Sequence, residues 1–326
     1  MQKTLNPTSL NEFAKALDQV EHVLIVAHVD PDGDAIGSAL GLAWALRARG
    51  LRAHVTCQDP PPDSMTFLPG VGAFATRGPQ ERDELVIAVD TSTRRRMGQH
   101  YVDHNLGHRP LVVIDHHMTN VGYGDINLLA DVPATAMLVL AAIDHLEIPL
   151  DPTMATCLLT GIITDTQGFR TSNTTPEAFA VAHRLMIAGA RLTQITQWVF
   201  YRRAASTLPV WGAALSGATL NQGVLWAELP LDLQRQQGVG NSANSGLVNF
   251  FSTVREAQVA MLLTEQEDGI IDVSLRSKPG VDVSGVARAF GGGGHPQAAG
   301  CQVAGRLVEV RENLLEALHA SLGETV

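Results

Sequence analysis

Cysteines and aromatic residues are scarce in this 326-residue sequence. The three cysteines, Cys57, Cys157 and Cys301, are far apart, odd in number and without a Cys-x-x-Cys pair. A disulfide framework or a thiolate zinc site is therefore not expected, and a reducing, cytoplasmic compartment fits best. Aromatic residues make up 5% of the chain, which disfavours an extended platform for stacking the bases of a single strand.

Positive charge is scarce as well. The chain has 33 acidic side chains against 23 lysines and arginines, and a formal net charge of -10. Proteins that follow long DNA or RNA usually carry a basic stripe that neutralises many phosphates, so a long polymer is not the expected ligand. Two features would reconcile this charge with a phosphate ligand: a short substrate, and an acidic cluster that attracts phosphate once it holds metal.

Long hydrophobic segments are missing too. No apolar run approaches the ~18 residues that a membrane-spanning helix needs, and the first residues lack the basic and apolar segments of a secretory signal. We therefore expect no membrane association. Hydrophobic residues nevertheless make up 45% of the chain and charged residues 17%, which is typical of a globular protein with a core.

Short apolar runs alternate with helical patterns through the first half of the chain, which is typical of a parallel sheet in an α/β fold. Predicted strands cover 23–27, 53–57, 85–89 and 111–114, and predicted helices cover 35–49, 134–146, 152–164, 176–188 and 192–200. Strand-like alternation returns at 223–228, 259–264 and 270–275. The sequence therefore predicts a parallel-sheet domain over 1–190, a helical linker over 191–214, and a second, smaller α/β domain over 215–326 across a cleft from the first.

Acidic and imidazole side chains follow three of the predicted strands. They are, in chain order, His28, Asp30, Asp32, Asp34, Asp90, Asp115, His116 and His117. Asp165 follows a further apolar run at 158–164. Because ligands of open parallel sheets bind beyond the carboxyl ends of the strands, we expect the residues after the strands to converge on one edge of a crevice.

Several carboxylates in one crevice would repel each other and could not all stay ionised without a cation. A mixed set of Asp and His suits Mn²⁺ or another divalent ion better than Ca²⁺, and the absence of nearby cysteine argues against structural zinc. Each residue also has a structural alternative, because an Asp after a strand is often a turn residue or an N-cap. Asp30 and Asp34 are the candidates for capping the helix that follows them.

These segments resemble the DHH phosphoesterase family, which takes its name from an Asp-His-His triplet. The resemblance lies in residues 28–38 (HVDPDGDAIGS), in Asp90, in the triplet 115–117 and in Asp165 with its two threonine neighbours. Residues 273–277 (VSLRS) and 290–300 (FGGGGHPQAAG) resemble the DHH-associated C-terminal domain. The motifs stand in the expected order over nearly the whole chain. Within the family, the length and the domain pairing resemble the bacterial nanoRNase/pAp-phosphatase group.

The resemblance implies two divalent metal ions, with Mn²⁺ expected and Mg²⁺ or Co²⁺ as alternatives. The six ligands would be His28 and Asp32 for one ion, Asp34 and His116 for the other, and Asp90 and Asp165 shared between them. Asp30 is not a ligand in this alignment and is left as part of the loop. The domain over 1–190 would then be the metal-binding catalytic domain.

The resemblance also implies catalytic and substrate-binding residues. His117 would face the scissile phosphate, and Asp115 would orient the imidazoles. The substrate-binding candidates are Arg170, Arg276, Ser277, Gly292, Gly293, Gly294 and His295. Glycine allows close approach of the backbone to a phosphate, and arginine suits bidentate phosphate binding. The three arginines at 94–96 are interpreted instead as a solvated basic face.

The activity that the resemblance implies is hydrolysis of short oligoribonucleotides to mononucleotides, together with removal of phosphate from pAp. Short RNA, dinucleotides and pAp would be the ligands, and the resemblance also suggests a homodimer. Two alternatives stay open at this point. The same metal site would serve a phosphodiesterase acting on pApA or cyclic dinucleotides, and the non-enzymatic alternative is a nucleotide-binding sensor.

Overall fold

A computed structural model describes residues 5–74, 80–99, 108–202, 204–237 and 246–323 of the chain. The chain divides into two compact units, Met1–Arg202 and Arg203–Val326. The division falls inside the segment 191–214 for which the sequence predicts a helical linker. Among the described residues, no helix is long and apolar enough to cross a membrane.

The first unit is built on a parallel sheet of five strands. In chain order they are β1 His22–Ala27, β2 Arg52–Thr56, β3 Leu85–Val89, β4 Leu111–Asp115 and β5 Ile126–Leu129. Their order across the sheet is β2-β1-β3-β4-β5, and every neighbouring pair is parallel. The α/β prediction is confirmed, and the four predicted strands are present to within one or two residues. The sequence did not predict β5, because Asn127 interrupts its short apolar run.

Helices cover the sheet of the first unit. They are α1 Pro7–Leu17, α2 Gly33–Ala48, α3 Thr135–His145, α4 Pro152–Asp165, α5 Pro176–Ile187 and α6 Leu192–Thr196, which continues as a π-helix over Gln197–Tyr201. Helices α2, α3 and α4 are almost continuously buried. Their sequences are therefore apolar on all sides, unlike those of amphipathic surface helices. The predicted helices correspond to α2 through α6, and among the α-helices described in this unit α1 is the one that was not predicted.

The second unit contains a mixed sheet of six strands. They are β6 Thr219–Asn221, β7 Val224–Leu229, β8 Val259–Glu265, β9 Ile270–Ser277, β10 Gly293–His295 and β11 Ala298–Ala304, in the order β10-β11-β9-β8-β7-β6. The pair β7–β8 is parallel and the other described pairs are antiparallel. The accompanying helices are α7 Thr207–Gly217, α8 Leu231–Gln236, α9 Leu247–Phe251, α10 Ser284–Ala289 and α11 Leu307–Gly323. This unit is the second α/β domain that the sequence predicts.

Glycines allow α2 and α4 to pack unusually close together. Gly33, Gly37 and Gly41 are spaced by four residues and therefore lie on one face of α2. A Cβ added at Gly37 would overlap the carbonyl oxygen of Cys157, and one added at Gly41 would lie 2.8 Å from the Leu158 side chain. Backbone therefore meets backbone between the two helices. This contact sets the distance between Asp34, in the first turn of α2, and Asp165, at the end of α4.

We predict that Gly37→Ala destabilises the protein, because the new methyl group meets a backbone oxygen that cannot move without displacing α4. Overpacking of this kind costs about 1–3 kcal/mol, which exceeds the gain of up to about 1 kcal/mol from replacing a helical glycine by alanine. Denaturant unfolding measures the difference. Gly212→Ala in α7 is the matched control, because a Cβ added there would have no neighbour within 4 Å, and it should be neutral or stabilising. Equal free energies of unfolding for the two variants would contradict this account.

Candidate metal-binding active site

The chemistry-bearing residues of the first unit gather at the carboxyl ends of three neighbouring strands. His28 directly follows β1, Asp90 directly follows β3, and Asp115 is the last residue of β4. Strands β1, β3 and β4 are adjacent in the sheet. The structure therefore brings together the segments that the sequence predicted to converge.

Asp90 lies between His28 and His116, and its Oδ1 atom is also 3.6 Å from His117 Nδ1. Its Oδ2 atom is 3.5 Å from His28 Nε2, and its Oδ1 atom is 3.6 Å from His116 Nε2. The backbone of Asp90 is left-handed, with φ of 57°, a conformation that Asp and Asn tolerate better than most residues. Because each carboxylate oxygen faces a different imidazole, Asp90 connects the two sides of the site.

The six predicted ligands form two sets of donor atoms. One set is His28, Asp32 and Asp90, and the other is Asp34, His116 and Asp165, with the atoms of each set within 4.8 Å of one another. Asp165 Oδ2 is 3.2 Å from His116 Nε2, so the structure groups Asp165 with the second set. Asp32 is the exposed member, with 55% of its side chain accessible, which leaves the first set open to solvent.

Both histidines present Nε2 to the carboxylates because their other ring nitrogen is held by the backbone. His28 Nδ1 is 2.7 Å from the Val29 carbonyl oxygen, and His116 Nδ1 is 2.9 Å from the Val132 carbonyl oxygen. A carbonyl oxygen only accepts, so a proton on each Nδ1 satisfies these bonds. The lone pair of each Nε2 is then available to a metal, which is the usual arrangement of a metal-binding histidine.

Burial makes the carboxylates of this cluster difficult to ionise together. Burial raises the pKa of Asp34 to about 7, and the neighbouring charge of Asp90 contributes. Burial and the charges of Asp34, Asp32 and Asp90 also raise the pKa of Asp165 well above its usual value. Burial opposes ionisation of Asp90 as well, but its contacts with the histidines hold its pKa below the usual range. Divalent cations would offset this repulsion, so the donor set fits metal binding.

Two of the acidic residues also organise helix ends. Asp32 is the N-cap of α2, and its Oδ1 atom accepts hydrogen bonds from the amides of Asp34 and Ala35 at 3.0 Å each. Asp34 instead accepts hydrogen bonds from the amides of Thr135 and Ala136, at 2.6 and 3.0 Å, in the first turn of α3. The interpretation of Asp30 or Asp34 as the cap of α2 is therefore wrong: Asp32 holds that position, and Asp30 lies in the loop before it.

His117 is held by the aspartate of the triplet. Its Nδ1 atom is 2.7 Å from Asp115 Oδ1, and the other oxygen of Asp115 accepts a hydrogen bond of 2.7 Å from Asn120. Burial alone would lower the pKa of His117, but the hydrogen bond and charge of Asp115, with the charge of Asp90, raise it. The fully buried Asn120 was not predicted, because a single Asn in a loop carries no pattern in the sequence.

The three arginines at 94–96 are exposed, as expected of a solvated basic face, and two of them also make specific contacts. Arg96 Nη2 donates to the Val29 carbonyl oxygen at 3.5 Å, the same oxygen that His28 Nδ1 contacts, and the Arg96 carbonyl oxygen accepts a hydrogen bond of 2.8 Å from the Val29 amide. Arg94 donates to the carbonyl oxygen of Tyr123. These bonds attach the segment after β3 to the loop after β1, and they place a cation beside the first donor set.

Arg170 lies in the first unit, five residues after Asp165. Its Nε atom donates to the carbonyl oxygen of Gln167 at 2.7 Å, and its guanidinium lies over the Phe200 ring at 5.7 Å. Between Asp165 and Arg170, the backbone is left-handed at three consecutive residues, Gln167, Gly168 and Phe169. This conformation is strained at the two non-glycine residues, Gln167 and Phe169, and such strain is common near functional sites.

In the second unit, the partly buried Arg276 donates to Asn249 Oδ1 and to its neighbour's carbonyl oxygen, Leu275 O, both at 2.8 Å. Burial lowers its pKa, and within the described residues no carboxylate pairs with it. Ser277, by contrast, donates its hydroxyl to the Val281 carbonyl oxygen at 2.6 Å. Among the described residues, the Arg276 guanidinium therefore has no carboxylate partner, whereas the Ser277 hydroxyl is already used within the fold.

The glycines of the predicted phosphate loop differ in what the fold requires of them. A Cβ at Gly292 would overlap the carbonyl oxygen of Gly300, and one at Gly294 would lie 2.5 Å from the carbonyl oxygen of Ala298. Both glycines are therefore needed for close packing of the β10–β11 hairpin. A Cβ at Gly293 would meet nothing within 4 Å. His295, the next predicted residue, ends β10 and is exposed.

Comparison with known proteins agrees with this architecture. Residues 22–162 match the DHH family, N-terminal domain, and residues 221–324 match the DHHA1 domain. The chain is 35% identical over 317 residues to the bifunctional oligoribonuclease and PAP phosphatase NrnA of Thermus thermophilus, covering 95% of this chain and 93% of that protein. The Bacillus subtilis protein of the same name is 26% identical over 298 residues, covering 90% of this chain and 92% of that one.

A solved structure has the same fold along its whole length. An exopolyphosphatase-related protein from Bacteroides fragilis superposes with a TM-score of 0.89 at 24% identity, covering 99% of this chain and 100% of that chain. The match to the DHH family and to the two NrnA proteins defines the chain as a phosphoesterase, and its two donor sets fit divalent metal ions. The chain belongs to the DHH family and carries the DHHA1 domain.

We predict that stabilisation of the protein by Mn²⁺ increases with pH. Asp34 and the histidines of the site have raised pKa values, so the folded chain binds their protons more tightly than the unfolded chain does. Without divalent metal, the stability that these protons contribute is lost as the pH rises through the folded pKa values. Mn²⁺ replaces the protons, and its effect on the melting temperature should be larger at pH 8 than at pH 6.

Thermal unfolding in Mn²⁺ and in a chelator, at pH 6, 7 and 8, measures this effect. The exposed Asp18 lies outside both donor sets, so Asp18→Asn should keep the pH dependence of the unaltered protein. A stabilisation by Mn²⁺ that is equal at all three pH values, or larger at pH 6, would contradict the account.

Proposed function

We propose that the protein hydrolyses short oligoribonucleotides to mononucleotides, and that it removes phosphate from pAp, using two divalent metal ions. The observation that carries the proposal is the position of Asp90. Its two oxygens face the histidines of two separate donor sets, as expected of a carboxylate that is shared by a pair of ions. Each donor set would hold one ion. Mn²⁺ is the expected ion because the donors combine imidazole and carboxylate.

The metal pair would lower the pKa of the attacking water and would neutralise charge on the phosphate. His117 is the general acid in this proposal. Asp115 Oδ1 accepts a hydrogen bond from His117 Nδ1, which leaves Nε2 as the atom that can give a proton to the leaving oxygen. The hydrogen bond and the charge of Asp115, which act to raise the pKa of His117, favour a proton on this imidazole. Asp115 is thus the positioning residue for His117.

Short substrates are favoured by three features. The chain is acidic overall and has few aromatic residues, so it lacks the means to hold a long strand. The Thermus and Bacillus relatives, matched over nearly their whole lengths, are named for oligoribonuclease and PAP phosphatase activities. Arg276 is partly buried without a carboxylate partner among the described residues, which suits a bound phosphate.

The glycine loop has a narrower role in this proposal than the sequence alone predicts. Gly292 and Gly294 are required by the packing of their own hairpin. Gly293, which has open space at its Cβ position, is the glycine left to approach a phosphate, and His295 and Arg170 remain candidates for further contacts.

The purified protein should be incubated with Mn²⁺ and a panel of substrates: RNAs from dinucleotides to a long single strand, pAp, pApA and cyclic di-AMP. We expect mononucleotides from the shortest RNAs and phosphate release from pAp. Asp90→Asn should abolish both activities, because it removes the shared carboxylate while asparagine still tolerates the left-handed backbone at this position. Activity restricted to cyclic di-AMP would favour the signalling phosphodiesterase, and no hydrolysis of any substrate would refute the proposal.

We predict that Arg276→Gln raises the KM for a dinucleotide more than it lowers kcat, because it removes a charge that would bind the substrate without taking part in the reaction itself. Steady-state kinetics measures both constants. Arg306→Gln is the matched control, since it removes the same charge from an exposed residue of this unit that pairs with Glu309. Equal KM values for the two variants would exclude Arg276 from substrate binding.

A further inference from the structure

Thr135 contacts carboxylates from both donor sets. It is the first residue of α3 and is completely buried. Its hydroxyl donates to Asp90 Oδ1 at 2.8 Å, and its backbone amide donates to Asp34 Oδ2 at 2.6 Å. One buried residue therefore holds two candidate metal ligands that come from different parts of the chain.

The hydrogen bond from the Thr135 hydroxyl sets the orientation of the Asp90 carboxylate group. The terminal torsion of an aspartate is soft, so packing alone leaves the carboxylate plane free to rotate. A donor on Oδ1 fixes that plane. In the fixed orientation, Oδ1 faces His116 and Oδ2 faces His28, which is the orientation that serves both donor sets at once.

The hydrogen bond from the Thr135 backbone amide uses an N–H group that has no partner within the helix. The first amides of an α-helix have no partner within the helix, and its N-terminus carries partial positive charge. In α3, the amides of Thr135 and Ala136 donate to Asp34. Ser38 adds a third hydrogen bond to the same carboxylate, at 3.0 Å. Asp34 is thereby fixed in place relative to Asp90 by the same end of the same helix.

We infer that Thr135 is a positioning residue of the metal site, whose hydroxyl orients Asp90 so that it serves both donor sets. The inference rests on the proposed function, because it concerns the ligands of that same site. It requires one feature of the side chain and one of the backbone. The hydroxyl must reach Asp90 from the first turn of α3, and the amide must remain free to donate to Asp34.

Thr135→Val tests the hydroxyl separately from the rest of the residue, since valine keeps the shape of the side chain and the backbone amide. We expect Mn²⁺ affinity, measured by isothermal titration calorimetry, to fall by roughly 10–100-fold, the usual effect of losing a partner of a metal ligand. The kcat for a dinucleotide should fall, with KM little changed. Thr135→Ser restores the hydroxyl and should recover most of the Mn²⁺ affinity.

Thr156→Val is the matched control. Thr156 is a buried threonine in α4 whose hydroxyl donates to the Pro152 carbonyl oxygen at 2.6 Å, and no carboxylate of the described residues is hydrogen-bonded to it. It should keep the Mn²⁺ affinity of the unaltered protein. The melting temperature in chelator, measured for each variant, separates a general loss of stability from a loss of metal binding.

The outcomes are distinct. If Thr135→Val lowers the melting temperature in chelator but binds Mn²⁺ as tightly as the unaltered protein, the residue is structural and the inference fails while the proposed function stands. If the unaltered protein binds no Mn²⁺, both fail. Should Thr135→Val not fold, Thr135→Ala and Thr135→Ser make the same comparison, and equal Mn²⁺ affinity in that pair overturns the inference.

Discussion

The close contact between α2 and α4 is the constraint on which the active site depends. Gly37 brings the α2 backbone against the Cys157 carbonyl, and Gly161 of α4 leaves room for the Asp34 carboxylate, which a Cβ there would overlap. Wider spacing of these helices would move Asp34 and Asp165 apart and divide the second donor set. The glycines therefore help to form the metal site, because the absence of a side chain at these positions lets the ligands come together.

The second consequence of this packing is electrostatic. Burial raises the pKa of Asp34 and Asp165, so the folded chain holds carboxylates where water stabilises their charge less than it does in the unfolded chain. Their hydrogen bonds come mainly from the ends of helices and from neighbouring hydroxyls and imidazoles. Asp32 caps α2, and Asp34 accepts from the first turn of α3. The same bonds that complete the helices thus hold the donors in place, and fold stability and metal binding are coupled through them.

Much of this arrangement is predictable from the sequence. Continuous apolar runs end at His28, Asp90 and Asp115, and the carboxyl ends of parallel strands meet at one sheet edge, so the convergence of these residues follows from periodicity alone. The individual ligand assignments came from resemblance to the family. What the sequence could not provide were contacts between distant segments with no local pattern: Thr135 lies 101 residues from Asp34, and Arg96 appeared only as part of a basic run.

The number of Mn²⁺ ions bound per chain, and the magnetic coupling between them, tests the central claim most directly. If Asp90 joins two donor sets, titration followed by electron paramagnetic resonance should show two ions per chain and the spectrum of a spin-coupled pair. Asp90→Asn should remove the coupling. A single ion per chain, or two ions with the uncoupled spectrum of isolated Mn²⁺, would contradict a shared carboxylate and with it the two-metal account of this protein.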